Sequence, residues 1–99
     1  MEPTKATKLS ADEQRLAQMF KALGNPVRLE ILRQLEDCHY CICNDIVAVL
    51  PLAQSTVSQH LKVLKEAGLI RGEIEGPATC YCIDYENLEW FKSRVNGTF

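Results

Sequence analysis

The stretch at residues 52–68, LAQSTVSQHLKVLKEAG, decides the fold. Val57, Leu61 and Leu64 recur at helical spacing and make one apolar stripe. Polar side chains cover the other faces, mostly in the first half: Gln54, Ser55, Thr56, Ser58, Gln59, His60 and Lys62. Short hydroxyl and amide groups near a helix N-terminus can hydrogen-bond both phosphates and base edges. The stretch therefore predicts a helix that contacts double-stranded DNA in the major groove.

The neighbouring segments favour this interpretation over an ordinary amphipathic surface helix. Residues 45–52, DIVAVLPL, predict a short helix that Pro51 ends. Gly68 with Leu69 behind it predicts that the following helix ends in a left-handed cap. Two helices joined by a tight turn, the second polar at its start, make a helix-turn-helix.

A hairpin is predicted directly after this pair of helices. Residues 69–75 and 78–84 form its strands, with Gly76-Pro77 as the turn. A helix-turn-helix followed by a hairpin is a winged helix, and the wing would carry Arg71 towards the phosphate backbone. The expected fold is mainly α with a small β-wing, about five helices and a hairpin, as a single domain over residues 1–99.

Further helices are predicted on both sides of this unit. Ser10-Ala-Asp-Glu13 is a capping box that opens a helix to about Leu23. Asn25-Pro26 opens a second helix, with Asn as the N-cap and Pro at the first helical position. A last helix runs from about Asp84 or Tyr85 to Val95.

These sequence blocks are similar to a known family. KALGNPVRLEILRQL and VSQHLKVLKEAGLI, in this order and at this spacing, resemble the arsenic-repressor (ArsR/SmtB) family of small bacterial transcriptional regulators. The resemblance runs from about Gln14 to about Tyr85. It implies a winged-helix homodimer that represses an operon until an effector binds, and it implies a structural ion pair for Arg28.

One position departs from the pattern of that family. Many members place Ser where this chain has Ala53, and Ala is a poorer N-cap by roughly 1 kcal/mol. We therefore expect Ser55 or Thr56 to start the helix.

The outer helices carry apolar surface that a partner subunit could cover. The residues concerned are Leu16, Met19 and Phe20 on the first helix and Leu88, Phe91 and Val95 on the last. In the family that the chain resembles, the first and last helices form the dimer interface. A homodimer is therefore expected, since a domain of 99 residues buries only a modest core.

Composition sets limits on the partners and the compartment. The formal net charge of -2 argues only weakly against DNA, because binding depends on a local basic patch. No apolar run approaches a membrane span and no signal peptide is visible, so a cytoplasmic protein without membrane contact is expected. In such a reducing compartment, five cysteines indicate metal binding or redox chemistry rather than structural disulfides.

Four of these cysteines are predicted to meet. The spacing C-x-C occurs at Cys41 and Cys43 and again at Cys80 and Cys82. In a strand, residues two apart point to the same face. In a winged helix, the short strand before the helix-turn-helix pairs with the second wing strand. The four thiols are therefore expected to form one cluster across two strands, with Ile42, Tyr81 and Ile83 towards the core.

Such a cluster fits three chemistries. Thiolates bind arsenite or antimonite through three sulfurs, and Zn, Cd or Cu(I) through three or four. Two thiols can instead be oxidised to a disulfide, which would make a peroxide sensor. The cysteines can also be small buried apolar residues. Arsenite-sensing members of the family that the chain resembles carry cysteines near the position of Cys41 and Cys43; Cys38 is the odd thiol and a weaker ligand candidate.

The expected function is an effector-responsive DNA-binding repressor with no cofactor requirement. A thiol enzyme is disfavoured because Asn44-Asp45 gives Cys43 an acidic setting, and no catalytic motif is present. A winged helix used only for protein contacts would usually have an apolar or acidic second helix, which this chain lacks.

Overall fold

The computed structural model describes residues 9–37, 41–43, 53–73 and 80–99. Four helices and three strands lie in these ranges, in the order α1 (Ala11–Leu23), α2 (Pro26–Asp37), β1 (Cys41–Cys43), α3 (Gln54–Glu66), β2 (Ile70–Glu73), β3 (Cys80–Ile83) and α4 (Tyr85–Thr98). The predicted mainly α architecture with a small sheet is confirmed. The helix predicted at 45–52, the turn Gly76-Pro77 and Cys38 lie outside the described residues.

The predicted starts of α1 and α2 are confirmed by their hydrogen bonds. Ser10 N–H donates to Glu13 Oε1 at 2.9 Å and Glu13 N–H to Ser10 Oγ at 3.1 Å, which is the capping box. The backbone hydrogen bond from Ser10 lowers the pKa of Glu13. Its stabilising effect is therefore present above the pKa of the unfolded carboxyl and is lost as the pH falls through the lowered value. On α2, Asn25 Oδ1 accepts from Val27 N–H at 2.8 Å.

The start of α3 differs from the prediction. The helix begins at Gln54, and Ala53 is its N-cap without a side-chain hydrogen bond, so the expected start at Ser55 or Thr56 is wrong. Val57 N–H donates to Ala53 O at 3.1 Å and closes the first turn. Burial of the Val57 side chain holds this turn in place without a cap.

The end of α3 is the predicted left-handed cap. Gly68 has a φ of 83°, which other residues rarely adopt. Its N–H donates to Lys65 O at 2.9 Å, and Leu69 N–H donates to Leu64 O at 3.0 Å, which is the Schellman pattern. The chain then turns directly into β2.

The three strands form one antiparallel sheet in the order β1-β3-β2. Tyr81 and Ile83 of β3 point to the core and are buried, as predicted; the side chain of Ile42 is outside the description. Cys80 and Cys82 alternate with them, lie on the opposite face and are half-buried. Leu69 and Asp84, at the outer ends of the predicted wing strands, lie outside β2 and β3, and the predicted strand ends at 74–75 and 78–79 lie outside the described residues.

The core lies between the inner face of the sheet and the helices. The predicted stripe of α3, Val57, Leu61 and Leu64, is buried in it together with Met19. Leu16 and Met19 are both buried within the chain, so Phe20 is the exposed residue of these three on α1. The homodimer itself stays a prediction. No helix of the described ranges combines the length and apolar character needed to cross a membrane.

Candidate nucleic-acid interface and cysteine cluster

The polar residues predicted to contact DNA lie on the first half of α3, away from its buried stripe. Ser55, Thr56 and Gln59 are exposed and Ser58 is half-buried. Gln54 lies in the first turn, and its side chain is outside the description. The first backbone N–H groups of α3 receive no acceptor from the side chain of Ala53. Such a helix end, with its partial positive charge, can bind a phosphate.

The basic residues near α3 differ in what they contact. Lys62 on α3 and Arg71 on β2 are exposed. Lys65 is engaged within the protein, because its Nζ donates to Gly72 O at 2.7 Å and joins α3 to β2. Contact of Lys62 and Arg71 with phosphates stays a prediction.

His60 has a partner that sequence reasoning missed. Its Nδ1 lies 3.2 Å from Nη1 of Arg28, and Nε of Arg28 donates to the carbonyl of Ala22. Within the described residues Arg28 forms no ion pair, and the ion pair implied by the family resemblance stays a prediction. The two residues are 32 positions apart, and no local pattern of the sequence connects them.

The register of β1 and β3 brings the four cysteines of the two C-x-C segments together. Cys41 is the partner of Cys82, and Cys43 is the partner of Cys80. Arg71 of β2 is the partner of Cys82 on the other side of β3. Partners across a sheet point to the same face, so Arg71 lies beside the cysteines on the outer face. We call Cys41, Cys43, Cys80 and Cys82 the cysteine cluster; its role as a binding site remains a prediction.

The cysteine cluster contains a disulfide, although thiols were expected. Cys41 and Cys82 are joined, with their Cα atoms 4.0 Å apart, and Cys80 is also disulfide-bonded. Cys41 is exposed. Among the side chains that the structure describes, no group of three or more Cys, His, Asp or Glu is arranged to hold a metal ion. A disulfide sulfur is not a thiolate ligand, so a metal or metalloid requires the reduced cluster.

A second connection missed by sequence reasoning joins the outer helices to the end of α3. Asn87 Nδ2 donates to Gly68 O at 3.0 Å, and Asn87 Oδ1 accepts from Arg15 Nη2 at 2.8 Å. The Arg15 guanidinium stacks over the Trp90 ring, 4.0 Å from its centre. Asn87 therefore fixes the C-terminal cap of α3 to α1 and α4.

An aromatic surface lies where α1 meets α4. Phe20 is 40% exposed and Phe99 is 90% exposed. The Phe20 ring contacts those of Phe91 and Phe99, with centroid distances of 5.2 and 6.3 Å. We call these three residues the aromatic patch. Leu88 and Phe91 of the predicted α4 stripe pack partly against the chain's own core.

Comparison with known proteins assigns the family. A family model described as a bacterial regulatory protein of the arsR family matches residues 25–71. The arsenical resistance operon repressor of Bacillus subtilis is 36% identical over 95 residues, which cover 95% of this chain and 86% of that protein. An uncharacterized HTH-type transcriptional regulator of Methanocaldococcus jannaschii is 41% identical over 71 residues, 71% of this chain and 79% of that protein.

A solved structure agrees in fold. The crystal structure of an ArsR-family transcriptional regulator superposes with a TM-score of 0.75 and covers 91% of this chain and 92% of its own, at 19% identity. The family match covers α2, β1, α3 and the start of β2, so it spans the predicted helix-turn-helix sequence. The chain belongs to the arsR family of bacterial regulatory proteins, whose members are helix-turn-helix regulators of transcription.

Proposed function

We propose that the protein is a transcriptional repressor that binds operator DNA through α3 and the wing and is released when an effector reacts with the cysteine cluster. The observation that carries the proposal is the strand register. It pairs Cys41 with Cys82 and Cys43 with Cys80, next to the helix and wing that are proposed to bind DNA. The family supplies the regulatory role, and the cluster supplies a site for thiol chemistry.

The surface of α3 supports sequence-specific contact. Gln59 is exposed, and its amide can pair bidentately with the N6 and N7 atoms of an adenine in the major groove. Ser55 and Thr56 are exposed beside backbone N–H groups that no side-chain cap satisfies, so a phosphate oxygen could serve as the cap. His60 is half-buried and follows Gln59 directly on α3. Base contacts then specify the sequence while phosphate contacts set the register.

Two substitutions on α3 are expected to separate these roles. Gln59→Ala should cost about 1–3 kcal/mol of operator affinity and relax the base preference at one position, because it removes a base contact. Lys62→Ala should weaken binding to all sequences alike and reduce the salt slope by about one, because it removes a phosphate contact. Fluorescence anisotropy on the protein's own promoter over a range of salt concentrations measures both.

Matched controls for these variants lie on α1. Gln18→Ala and Lys21→Ala remove the same side chains from exposed positions on another helix and should leave affinity unchanged. If Gln59→Ala binds the operator as Gln18→Ala does, α3 does not read the bases in the way proposed.

The aromatic patch supports a homodimer. It exposes Phe20 and Phe99 at the meeting of α1 and α4, and a second copy of the chain would cover them. Two reading helices held near one DNA turn apart, about 34 Å, would then match a two-fold symmetric operator.

Disrupting the aromatic patch is therefore expected to produce monomers. Phe20→Glu places a charge in the patch and should shift sedimentation at micromolar concentration from dimer to monomer, with at least a tenfold loss of operator affinity because only one half-site is held. Leu29→Glu is the control, since Leu29 on α2 is 48% exposed and lies outside the patch. A wild-type protein that sediments only as monomer would refute the dimer.

A trivalent metalloid is the effector we propose. Arsenite would react with three reduced thiols of the cluster, forming three As–S bonds as its three hydroxyl groups take up the thiol protons and leave as water. Facing positions of neighbouring strands bring side chains to about 5 Å, which is compact enough for shared ligation. The name of a relative supports this choice: the arsenical resistance operon repressor is similar to this chain over most of its own length.

Reversible oxidation is the second candidate, and the disulfide between Cys41 and Cys82 favours it. Two thiols and one hydrogen peroxide would give one disulfide and two water molecules. Cys41 is exposed, so an oxidant can reach it. A thiol reductant would restore the two thiols and the DNA-binding form.

Both effectors would act through the same mechanical connection. The cluster ties β1, on the N-terminal side of α3, to the wing strand β3. β2 follows α3 immediately, and Asp84 N–H, just after β3, donates to Leu69 O at 3.0 Å. A change in the β1–β3 spacing would thus reach the C-terminal end of α3 through β3 and Leu69. A coupling of about 1–3 kcal/mol is sufficient to release the DNA.

A further inference from the structure

Arg28 and His60 form a contact between α2 and α3 that the DNA-binding proposal does not use. Nη1 of Arg28 lies 3.2 Å from Nδ1 of His60, and both residues are half-buried. Nε of the same guanidinium donates to Ala22 O near the end of α1. Arg28 is also held at its backbone, since its N–H donates to Asn25 Oδ1 at 3.3 Å. The guanidinium is therefore anchored by α1 and α2 while it meets the ring on α3.

The chemistry of this pair fixes which ring nitrogen of His60 carries hydrogen. A guanidinium has five N–H donors and no acceptor. Nδ1 of His60 must therefore accept, which places the ring hydrogen on Nε2. A neutral histidine without such a partner exchanges between two tautomers, and only one of them offers a donor at Nε2.

This tautomer determines what His60 can recognise. With hydrogen on Nε2, the ring donates to acceptor atoms, which in DNA are the purine N7, the guanine O6, the thymine O4 and the phosphate oxygens. It cannot accept from the amino groups of adenine or cytosine. His60 lies in the second turn of α3, one residue after Gln59 and on the half of the helix that carries the polar surface.

We propose that Arg28 is a positioning residue that fixes the Nε2–H tautomer of His60, so that His60 donates a hydrogen bond to an acceptor atom of the operator. The proposal rests on the DNA-binding function above and deepens it. Arg28 lies on α2 and acts through the ring of His60 on α3, so it need not contact DNA itself. The planar fork of the guanidinium suits this task because two of its nitrogens are engaged in fixed directions.

The tautomer is measurable without DNA, which separates this inference from the proposed function. Two-bond proton–nitrogen correlation spectra of the full-length protein should show hydrogen on Nε2 of His60 in the wild type. Arg28→Met keeps an unbranched side chain but removes the donors, and the ring should then average between tautomers. Arg28→Lys keeps one donor and should restore the wild-type pattern in part. Arg33→Met, on the exposed side of α2, is the control.

Operator binding supplies the second readout. Arg28→Met and His60→Ala should each lower affinity about tenfold, near the upper end of what one net hydrogen bond contributes. The double variant should be no weaker than the weaker single variant, because both remove the same contact. Operators carrying 7-deazapurines or methylphosphonates identify the acceptor. The modification that causes no further loss of affinity in the His60→Ala variant marks the atom that His60 contacts, which is a purine N7 or a phosphate oxygen.

Three results would overturn the inference. One is a wild-type His60 with hydrogen on Nδ1. Another is an Arg28→Met variant that retains the wild-type melting temperature and tautomer. The third is full additivity of the two substitutions in operator affinity. If Arg28→Met fails to fold, the wild-type spectrum and the Arg28→Lys variant still decide. A protein with the Nε2 tautomer that binds no operator would refute the proposed function but not the Arg28–His60 connection.

Discussion

Replacing Cys41 and Cys82 together by serine is expected to leave operator binding intact and to abolish the response to the effector. In the wild type, an effector that reacts with the cysteine cluster should weaken operator binding by roughly 5–150-fold, the usual range of coupling between two sites. In the double variant the ratio of affinities with and without effector should fall to about one. These two residues are chosen because they face each other across β1 and β3 and are joined in the disulfide.

The same variant has a predicted effect on stability. The disulfide closes a loop between positions that are 41 apart in sequence, and a crosslink of this span stabilises a protein by about 3–4 kcal/mol. Oxidised wild type should therefore melt at a higher temperature than reduced wild type, and this difference should be smaller in the double variant, which keeps only the disulfide of Cys80. Cys38→Ser is the control for loss of a thiol outside the cluster. A double variant that still releases DNA with the effector would place the sensor elsewhere.

Gly72→Ala is expected to disrupt the sheet, at a cost of more than about 3 kcal/mol in the free energy of unfolding. Gly72 has a φ of 126°, a conformation that other residues rarely adopt. A Cβ on Gly72 would overlap the carbonyl oxygen of Cys80 and lie 2.8 Å from the Cα of Tyr81. These are backbone atoms of β3, so neither can move aside without breaking the pairing of β2 with β3.

Urea unfolding measures this cost, and the chain offers a matched control. Gly97 lies in α4, and a Cβ there meets nothing within 4 Å. Gly97→Ala should therefore be neutral or stabilise the protein by up to about 1 kcal/mol, because alanine has the better helix propensity. If the two variants have the same stability, the close approach of β2 and β3 at Gly72 is not a feature of the folded protein.

The patterns that sequence could predict are those set by local periodicity. The stripe of Val57, Leu61 and Leu64 follows from helical spacing, and the end of α3 follows from Gly68. The facing of the C-x-C segments follows from strand alternation together with the pairing typical of a winged helix. In each case the spacing of a few neighbouring residues contains the information.

What sequence could not predict depends on contacts between distant segments or on chemical state. The sequence of α1 alone does not show whether Met19 lies in the core or at a subunit interface, because that depends on how α1 packs. The contact of Arg28 with His60 arises because α2 and α3 cross at these positions. The disulfide between Cys41 and Cys82 is a matter of oxidation state as well as proximity. The helix start at Gln54 shows burial of Val57 overriding the poor cap at Ala53.

The central claim is that a DNA-binding unit is controlled by the thiols of β1 and β3, and one measurement tests it most directly. Anisotropy titration of the protein's own promoter is carried out anaerobically with fully reduced wild type, then with arsenite, with peroxide, and with peroxide followed by a thiol reductant. The variant in which all four cluster cysteines are serine is titrated in parallel.

We predict tight, salt-dependent binding by the reduced wild type and release by arsenite, with the four-serine variant bound throughout. Release by peroxide alone, reversed by the reductant, would replace the metalloid with an oxidant as effector. The account is contradicted if the reduced protein does not bind the promoter, or if the four-serine variant is released by arsenite and peroxide as the wild type is.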